Sequence, residues 1–509
     1  MKKYILDEKI WETPYVDDTG FVFEAQVLLY KPYIEEIQKR SIHNLNLGEF
    51  KKIPCDVKAE EWGNTFNFIA KGFDIKAPVD RKDALQMLKD FVNSEYIKGG
   101  NHPWESITGH LQYQHYAGEM GFDILGVEIG EVVNSYQMHI AYTRGAAKQY
   151  GTPWLVDFSP WLNDGMLDYS GERIWGDSSG ENKGHSISLH ERSYYISYMS
   201  GANWIIAEGG GINFFYPKLD DDGNYFLTPL GKVGQKFNAF TKNNPDIGIP
   251  YTPFGIVLDY YHGTYYGSDF PKKAFEYFPY NDGDNLTWTL LDKFFPDSWK
   301  QWHRKEKNTL TNSPYGDTCD VLLQNVSQEV LNSYPVIILS GDIHFSKEEA
   351  ERVINYIKQG GTAVVNTAYL KYFPEFSKID GDNTTTCYLE KGKAIVYGPD
   401  FCPDKLDVIL KEFTGKYIPF SISGNVEYLM NVKKDSLILT IINNDGVIKP
   451  VNEPVIVDQT KNQIITVKYK GDETIKWVKN LRTGDMVATS QNQTINIEPG
   501  DFIILEFGF

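Results

Sequence analysis

Between Phe122 and Glu208 the sequence alternates strand-like and helix-like patterns, and this alternation limits the possible folds more than any other feature. FDILGVEIGE is an apolar run ending in carboxylates. VVNSYQMHIAYTRGAAKQYG follows with helical spacing and closes on Gly151, a residue suited to a left-handed C-cap. TPWLVDFSPW reads as the next strand and SLHERSYYISYMSGAN as the next helix, with Ser188 and Glu191 at capping-box spacing. WIIAEGGG is a further strand with a carboxylate at its end. A β-α-β-α-β order implies parallel strands joined by right-handed crossovers. Polar residues at C-terminal strand ends are where a (β/α)8 barrel places its chemistry.

The rest of the chain divides around this run. At 509 residues, the length gives a soft expectation of roughly three domains. Residues 1–250 are expected to form a (β/α)8-type barrel, complete or incomplete. Residues 251–425 carry PFGIVLDYY and YPVIILSGDIHFSKEEAERVINYIKQGGTAVVN. The second stretch is a strand, a helix capped by Ser346 with Glu349, a stop at Gly360–Gly361 and another strand. This is a doubly wound, flavodoxin-like pattern. It has no GxGxxG, so no dinucleotide fingerprint is present. Residues 426–509 alternate apolar and polar positions in short runs broken by turn pairs such as Asp445–Gly446. A small antiparallel β-sandwich is expected there. The fold class is α/β.

Composition narrows the function. With 50 Lys and Arg against 68 Asp and Glu, the net charge is −18, which disfavours nucleic-acid binding. The 33 Tyr, 29 Phe and 11 Trp suit a protein that grips sugar rings, although many aromatics must be core. Cys55, Cys319, Cys387 and Cys402 form no CxxC pair, so a zinc ribbon or thioredoxin-like site has no support. No apolar run has the length of a membrane span. The start, MKKYILDEKIW, has a basic end but no apolar signal core. A cytoplasmic chain is expected, or a periplasmic or secreted one whose signal was removed. Neither a GxSxG elbow, a P-loop nor a recognisable Cys–His pair occurs.

Three stretches resemble the family 42 glycoside hydrolases, β-galactosidase-like enzymes with a trimerisation domain. The first runs from Gly201-Ala202-Asn203 through WIIAEGGG to LTPLGKVGQKFNAF. The second is LNSYPVIILSGDIHFSKEEAERVINYIKQGGTAVVN, and the third spans NNDG to PGDFIILEF. The resemblance covers about residues 190–509. It implies a barrel, a flavodoxin-like domain and a small β-domain, glycosidase activity and a homo-oligomer, a trimer in that family. The second stretch also resembles glutamine-amidotransferase domains, but its turn is Ser340-Gly341-Asp342, with no cysteine nucleophile. Counted back from the exit helix, WIIAEGGG would be the eighth barrel strand, TPWLVDFSPW the seventh and FDILGVEIGE the sixth. Only 121 residues precede Phe122, little room for five earlier units. The family's catalytic pair, after its fourth and seventh strands, is therefore not carried over.

The site is instead read from local chemistry. Glycosidic hydrolysis usually needs two flanking carboxyl groups, about 5–5.5 Å apart for a nucleophile and roughly 6.5–9.5 Å apart for a water-activating base. Glu128, Glu131 and Glu208 lie at strand ends and are the catalytic candidates. The expected assignment is Glu208 as nucleophile or base and Glu128 as acid, with Glu131 the alternative to Glu128. Each has a structural alternative. For Glu128 it is an ion pair with Arg144 or another cation. For Glu131 it is a first-turn carboxylate favoured by the helix dipole. For Glu208, before three glycines, it is a turn anchor. Asp157, His110, His185, Trp154, Trp161 and Trp175 are candidates for holding hydroxyls and ring faces. The spacings of His110 with His115 and His185 with His190 match no metal motif, and Asp220-Asp221-Asp222-Gly223-Asn224 lacks the spaced ligands of an EF-hand. No metal or cofactor is expected. YYHGTYYG, near residues 260–267, is read as a packed interface.

The leading expectation is a glycoside hydrolase acting on an oligo- or polysaccharide. One rival is a polysaccharide lyase using a Tyr or His base in the same cleft. Another is a non-catalytic glycan-binding protein on a degenerate barrel.

Overall fold

The computed structural model of the chain describes residues 10–17, 20–27, 43–46, 78–95, 104–108, 111–130, 136–159, 186–207, 214–219, 221, 225–263, 273–275, 277–296, 306–307, 310–376, 384–450, 455–487 and 489–509. Strands β1 (Ile10–Asp17) and β2 (Gly20–Val27) pair as an antiparallel hairpin. The strands β3 (His43–Asn46), β4 (Trp104–Thr108), β5 (Ile124–Gly130), β6 (Trp154–Ser159) and β7 (Trp204–Ala207) then form one parallel sheet in chain order. The helices between successive strands are α1 (Arg81–Glu95), α2 (Tyr113–Glu119), α3 (Tyr136–Tyr150) and α4 (Ile187–Met199). The βαβαβ run expected from the sequence is therefore present. Among the described residues this sheet is open, with five strands.

Local chemistry explains the helix ends. The α3 helix stops where Gly151 takes φ +68°, a conformation that costs glycine little. At the start of α4 the cap is Ser186, whose side chain accepts from the Leu189 amide. The Ser188–Glu191 box is not formed. Ser188 Oγ donates to the Gly500 carbonyl at 2.7 Å, and Glu191 faces Arg482 at 3.5 Å. Both serines suit a cap, but the tertiary contact engages the second one.

After α5 (Pro229–Asn243) comes a second sheet. Its strands are β8 (Phe254–Leu258), β9 (Cys319–Leu323), β10 (Val336–Ser340), β11 (Thr362–Asn366), β12 (Thr385–Leu389) and β13 (Gly392–Tyr397). Their order is β9-β8-β10-β11-β13-β12, parallel except for the antiparallel edge strand β12. Strands β8, β9 and β10 are buried throughout, as suits a sheet covered on both faces. Its helices include α6 (Asp282–Phe294), α7 (Gln328–Asn332), α8 (Lys347–Lys358) and α9 (Leu406–Tyr417). The box between Ser346 and Glu349 forms as expected, and Gly360 takes φ +117° at the stop.

The last part is antiparallel. Strands β14 (Glu427–Val432), β15 (Ser436–Ile442), β17 (Trp477–Asn480) and β19 (Phe502–Gly508) share one sheet. Strands β16 (Gln463–Tyr469) and β18 (Asn492–Ile497) lie in another, with Phe420–Ile422. Gly446 takes φ +79° at the expected turn. Among the described residues, no helix is long and apolar enough to cross a membrane.

Helix α3 clamps the first sheet to the second. A Cβ on Gly145 would lie 1.8 Å from the Val321 carbonyl oxygen, so backbone meets backbone there. Beside it, Arg144 grips Asp317 with Nη1 at 2.9 Å and Nη2 at 2.8 Å, and its Nε reaches Asp320 at 2.5 Å. Asp320 also accepts from Lys148 at 2.5 Å, Thr252 at 2.6 Å and Tyr334 at 2.8 Å. Burial opposes the charge on Asp320, but Lys148 and Arg144 outweigh it and hold the carboxyl well below the usual range. Arg144 is thus committed to the second sheet and is not the cation that the structural alternative for Glu128 offered.

Candidate active site

Glu128 on β5 and Asp157 on β6 are registered partners in the parallel sheet. Registered residues of neighbouring strands point to the same face, and successive residues alternate. The next pair, Ile129 and Phe158, therefore points to the other face. There the Phe158 ring meets His190 at 4.5 Å and Tyr194 at 5.4 Å, both on α4, and Tyr136 of α3 at 6.4 Å. Glu128 and Asp157 consequently occupy the face turned away from α3 and α4. Asp157 is only 6% exposed, and Glu128 is half-buried. Ile206 of β7 is registered with Asp157 and extends the row across a third strand.

The row lies near the C-terminal ends of its strands, because β5 ends at Gly130 and β6 at Ser159. Parallel α/β folds place their chemistry at this end. Neighbouring strands run about 4.8 Å apart, so Glu128 and Asp157 are side by side along the sheet. Sequence reasoning placed Asp157 on the strand between the carboxylates and left its register open. The register makes it the direct neighbour of Glu128.

Glu131, Glu208, His110, His185, Trp161 and Trp175 lie outside the described residues. Trp154 is described and is 5% exposed. It begins β6, at the end opposite the carboxylates, and alternation gives it the face opposite Asp157. It is a core residue rather than an open stacking face. His115 is also structural. Its Nε2 lies 2.9 Å from the Val321 carbonyl, and burial pushes its pKa down to about 4. His190 is buried on α4, 2.8 Å from the Tyr194 hydroxyl. Among the described residues, no group of three or more His, Cys, Asp or Glu side chains is placed to hold a metal ion.

One polar cluster escaped sequence reasoning: Arg81, Asp259, His262 and Asp284, at the C-terminal edge of the second sheet. The signal was a carboxylate directly after the apolar strand FGIVL, the pattern already noted around Glu128.

No protein-family profile and no curated protein sequence matches the chain. Solved structures similar to it include a GH42 beta-galactosidase, Gan42B of G. stearothermophilus, at 12% identity and TM-score 0.48, over 86% of this chain and 69% of that one. The beta-galactosidase of Bacillus circulans sp. alkalophilus matches at 11% identity and TM-score 0.47, over 84% of this chain and 67% of that one. The exo-carrageenase GH42 of Bacteroides ovatus matches at 13% identity and TM-score 0.45, over 89% of this chain and 58% of that one. The similarity is a distant one of architecture, to the family whose zones the sequence resembles.

Proposed function

We propose that the chain is a glycoside hydrolase that cleaves a glycosidic bond of an oligo- or polysaccharide over the C-terminal ends of β5, β6 and β7. The observation that carries this reading is the registered pair of Glu128 and Asp157 on the face away from the helices. Paired carboxyl groups beside the C-terminal ends of parallel strands are the groups that glycosidic hydrolysis uses. In this reading Glu128 is the acid that protonates the leaving oxygen. Asp157 holds a sugar hydroxyl beside it.

Glu208 is the proposed nucleophile or base. It stands two positions after Ile206 in sequence, just past the last residue of β7. Strands two apart lie roughly 10 Å from each other, which side-chain reach brings within the span of a carboxyl pair. Glu131 is the alternative acid, and His110, His185, Trp161 and Trp175 are proposed to line the sugar. The units are read as a barrel-type catalytic domain over residues 1–250, a flavodoxin-like domain over 251–425 and a β-sandwich over 426–509. The latter two are proposed to assemble the oligomer.

The test is turnover of a panel of aryl glycosides and plant, algal and host polysaccharides. New reducing ends without ultraviolet absorbance support hydrolysis. An unsaturated, absorbing product indicates a lyase, and binding without turnover indicates a glycan-binding protein.

A further inference from the structure

Among the described residues the second sheet ends at β12, which pairs only with β13. The two strands form a hairpin with a two-residue turn, Glu390–Lys391, and Glu390 takes φ +52°. Leu389 and Gly392 flank this turn as registered partners, so they are the hydrogen-bonded pair that closes it. Along an antiparallel ladder, hydrogen-bonded and non-hydrogen-bonded pairs alternate. Tyr388 and Lys393 are therefore a non-hydrogen-bonded pair. The Lys393 amide agrees, because it donates to the Gly361 carbonyl at 3.2 Å, on the β11 side. The backbone N–H and C=O groups of Tyr388, and of Thr386 two positions earlier, consequently point outward from the edge of the sheet.

Such an edge is a template for another strand, and folded proteins blunt it with charges, prolines or bulges. The strand TTCYL has no charge and no proline, and its register has no slip. Threonine and tyrosine also favour extended backbone. Tyr388 is 80% exposed on one face. Cys387 and Leu389 turn to the other face and pack against the core that holds Val353 and Ile357 of α8.

We propose that β12 is a dimerisation edge, pairing antiparallel with β12 of a second copy of this chain about a two-fold axis at Cys387. The strand's own pattern selects this occupant, because a two-fold contact must be self-complementary. With Cys387 opposite Cys387 of the second copy, Thr385 meets Leu389 and Thr386 meets Tyr388. All five residues of the strand then have a partner within the strand. An axis at Thr386 or Tyr388 would leave part of the strand overhanging. Thr386 and Tyr388, whose backbone groups point outward, come face to face, so each such pair exchanges both of its backbone hydrogen bonds. They are also a β-branched and aromatic pair on one face. The register keeps Cys387 and Leu389 of both copies on the face covered by helix, as an even shift must.

The inference deepens the reading that the second unit helps to assemble the oligomer, by naming a contact and its symmetry. Strand β12 lies outside the cleft proposed over β5 to β7, so the turnover screen judges the glycosidase reading separately.

The test is analytical ultracentrifugation of the full chain across the micromolar range. The wild type should dimerise reversibly as concentration rises. Thr386→Pro removes an amide that β13 does not use, so it should spare the hairpin and block the added strand. Tyr388→Lys places a charge on the edge at an exposed position. Each variant should weaken association about tenfold or more with wild-type circular dichroism. If Thr386→Pro loses that spectrum, Tyr388→Lys decides. Oxidation by copper phenanthroline should link two wild-type chains through Cys387, whose Cα atoms would stand about 4.5 Å apart across the axis, within disulfide reach. Cys387→Ser should abolish the link and Cys402→Ser should keep it. A wild type that stays monomeric overturns the proposal. So does undiminished association in the folded variants, or a link that survives Cys387→Ser.

Discussion

Glu128 and Asp157 stand side by side across β5 and β6, registered on the face that α3 and α4 leave uncovered. Phe158, the next residue of β6, is packed among aromatic side chains on the opposite face. The alternation of a single strand thus separates the core of the unit from its candidate chemistry.

If Asp157 holds a substrate hydroxyl, its loss should weaken binding more than the chemical step. Asp157→Asn is expected to raise KM about tenfold or more, the worth of a charged hydrogen bond, with a smaller fall in kcat. Steady-state kinetics on the substrate found in the turnover screen would show this. A fall in kcat with KM unchanged would instead make Asp157 part of the reacting pair.

Arg144 joins α3 to the second sheet through two buried carboxylates. Removing only the cation leaves Asp317 and Asp320 buried with less compensation. Arg144→Met is expected to cost about 3–5 kcal/mol, read from urea unfolding at neutral pH. A cost below about 1 kcal/mol would mean that the carboxylates find other partners.

Gly145 makes a separate prediction on the same helix. A methyl group there would lie 1.8 Å from the Val321 oxygen, so α3 must shift away from β9. Gly145→Ala is expected to destabilise by about 1–3 kcal/mol, although alanine favours helices. A melting temperature equal to or above that of the wild type would contradict this contact.

Glu427 is fully buried on β14, and burial, reinforced by the charge of Asp317, raises its pKa well above the ordinary value. A raised carboxyl pKa contributes stability that is present below the unfolded value and is lost as pH rises towards the folded one. Glu427→Gln should therefore melt with the wild type near pH 4 and above it at pH 8. Asp320 works in the opposite sense. Its lowered pKa contributes stability above the ordinary carboxylate range that is lost as pH falls below it. A Glu427→Gln curve parallel to the wild type across this range would show that the buried carboxyl does not titrate differently on unfolding.

The parallel order of β5, β6 and β7 was legible because each strand is a short apolar run between well-marked helices. Gly151, Gly360 and the Ser346–Glu349 box announced their ends by residue type alone. The start of α4 was misplaced because Ser186 and Ser188 are chemically equivalent caps, and only the distant Gly500 carbonyl distinguishes them. The setting of Arg144 was hidden for a related reason. Its partners, Asp317 and Asp320, lie more than 170 residues away, beyond any local pattern. The strand placement of Glu128 and Asp157 was readable, but their register was not. Register depends on how the crossover helix packs. The cluster of Arg81, Asp259 and Asp284 was not legible as a whole, because its parts come from α1, the end of β8 and the start of α6.

The central claim is that the row of strand ends at β5 to β7 is a hydrolytic site. The most direct measurement compares wild type with Glu128→Gln on a glycoside that the wild type cleaves, following reducing ends, with circular dichroism confirming equal folding. The account predicts a loss of two or more orders of magnitude in kcat, the usual worth of a positioned general acid. Glu128→Gln turning over at the wild-type rate would contradict it.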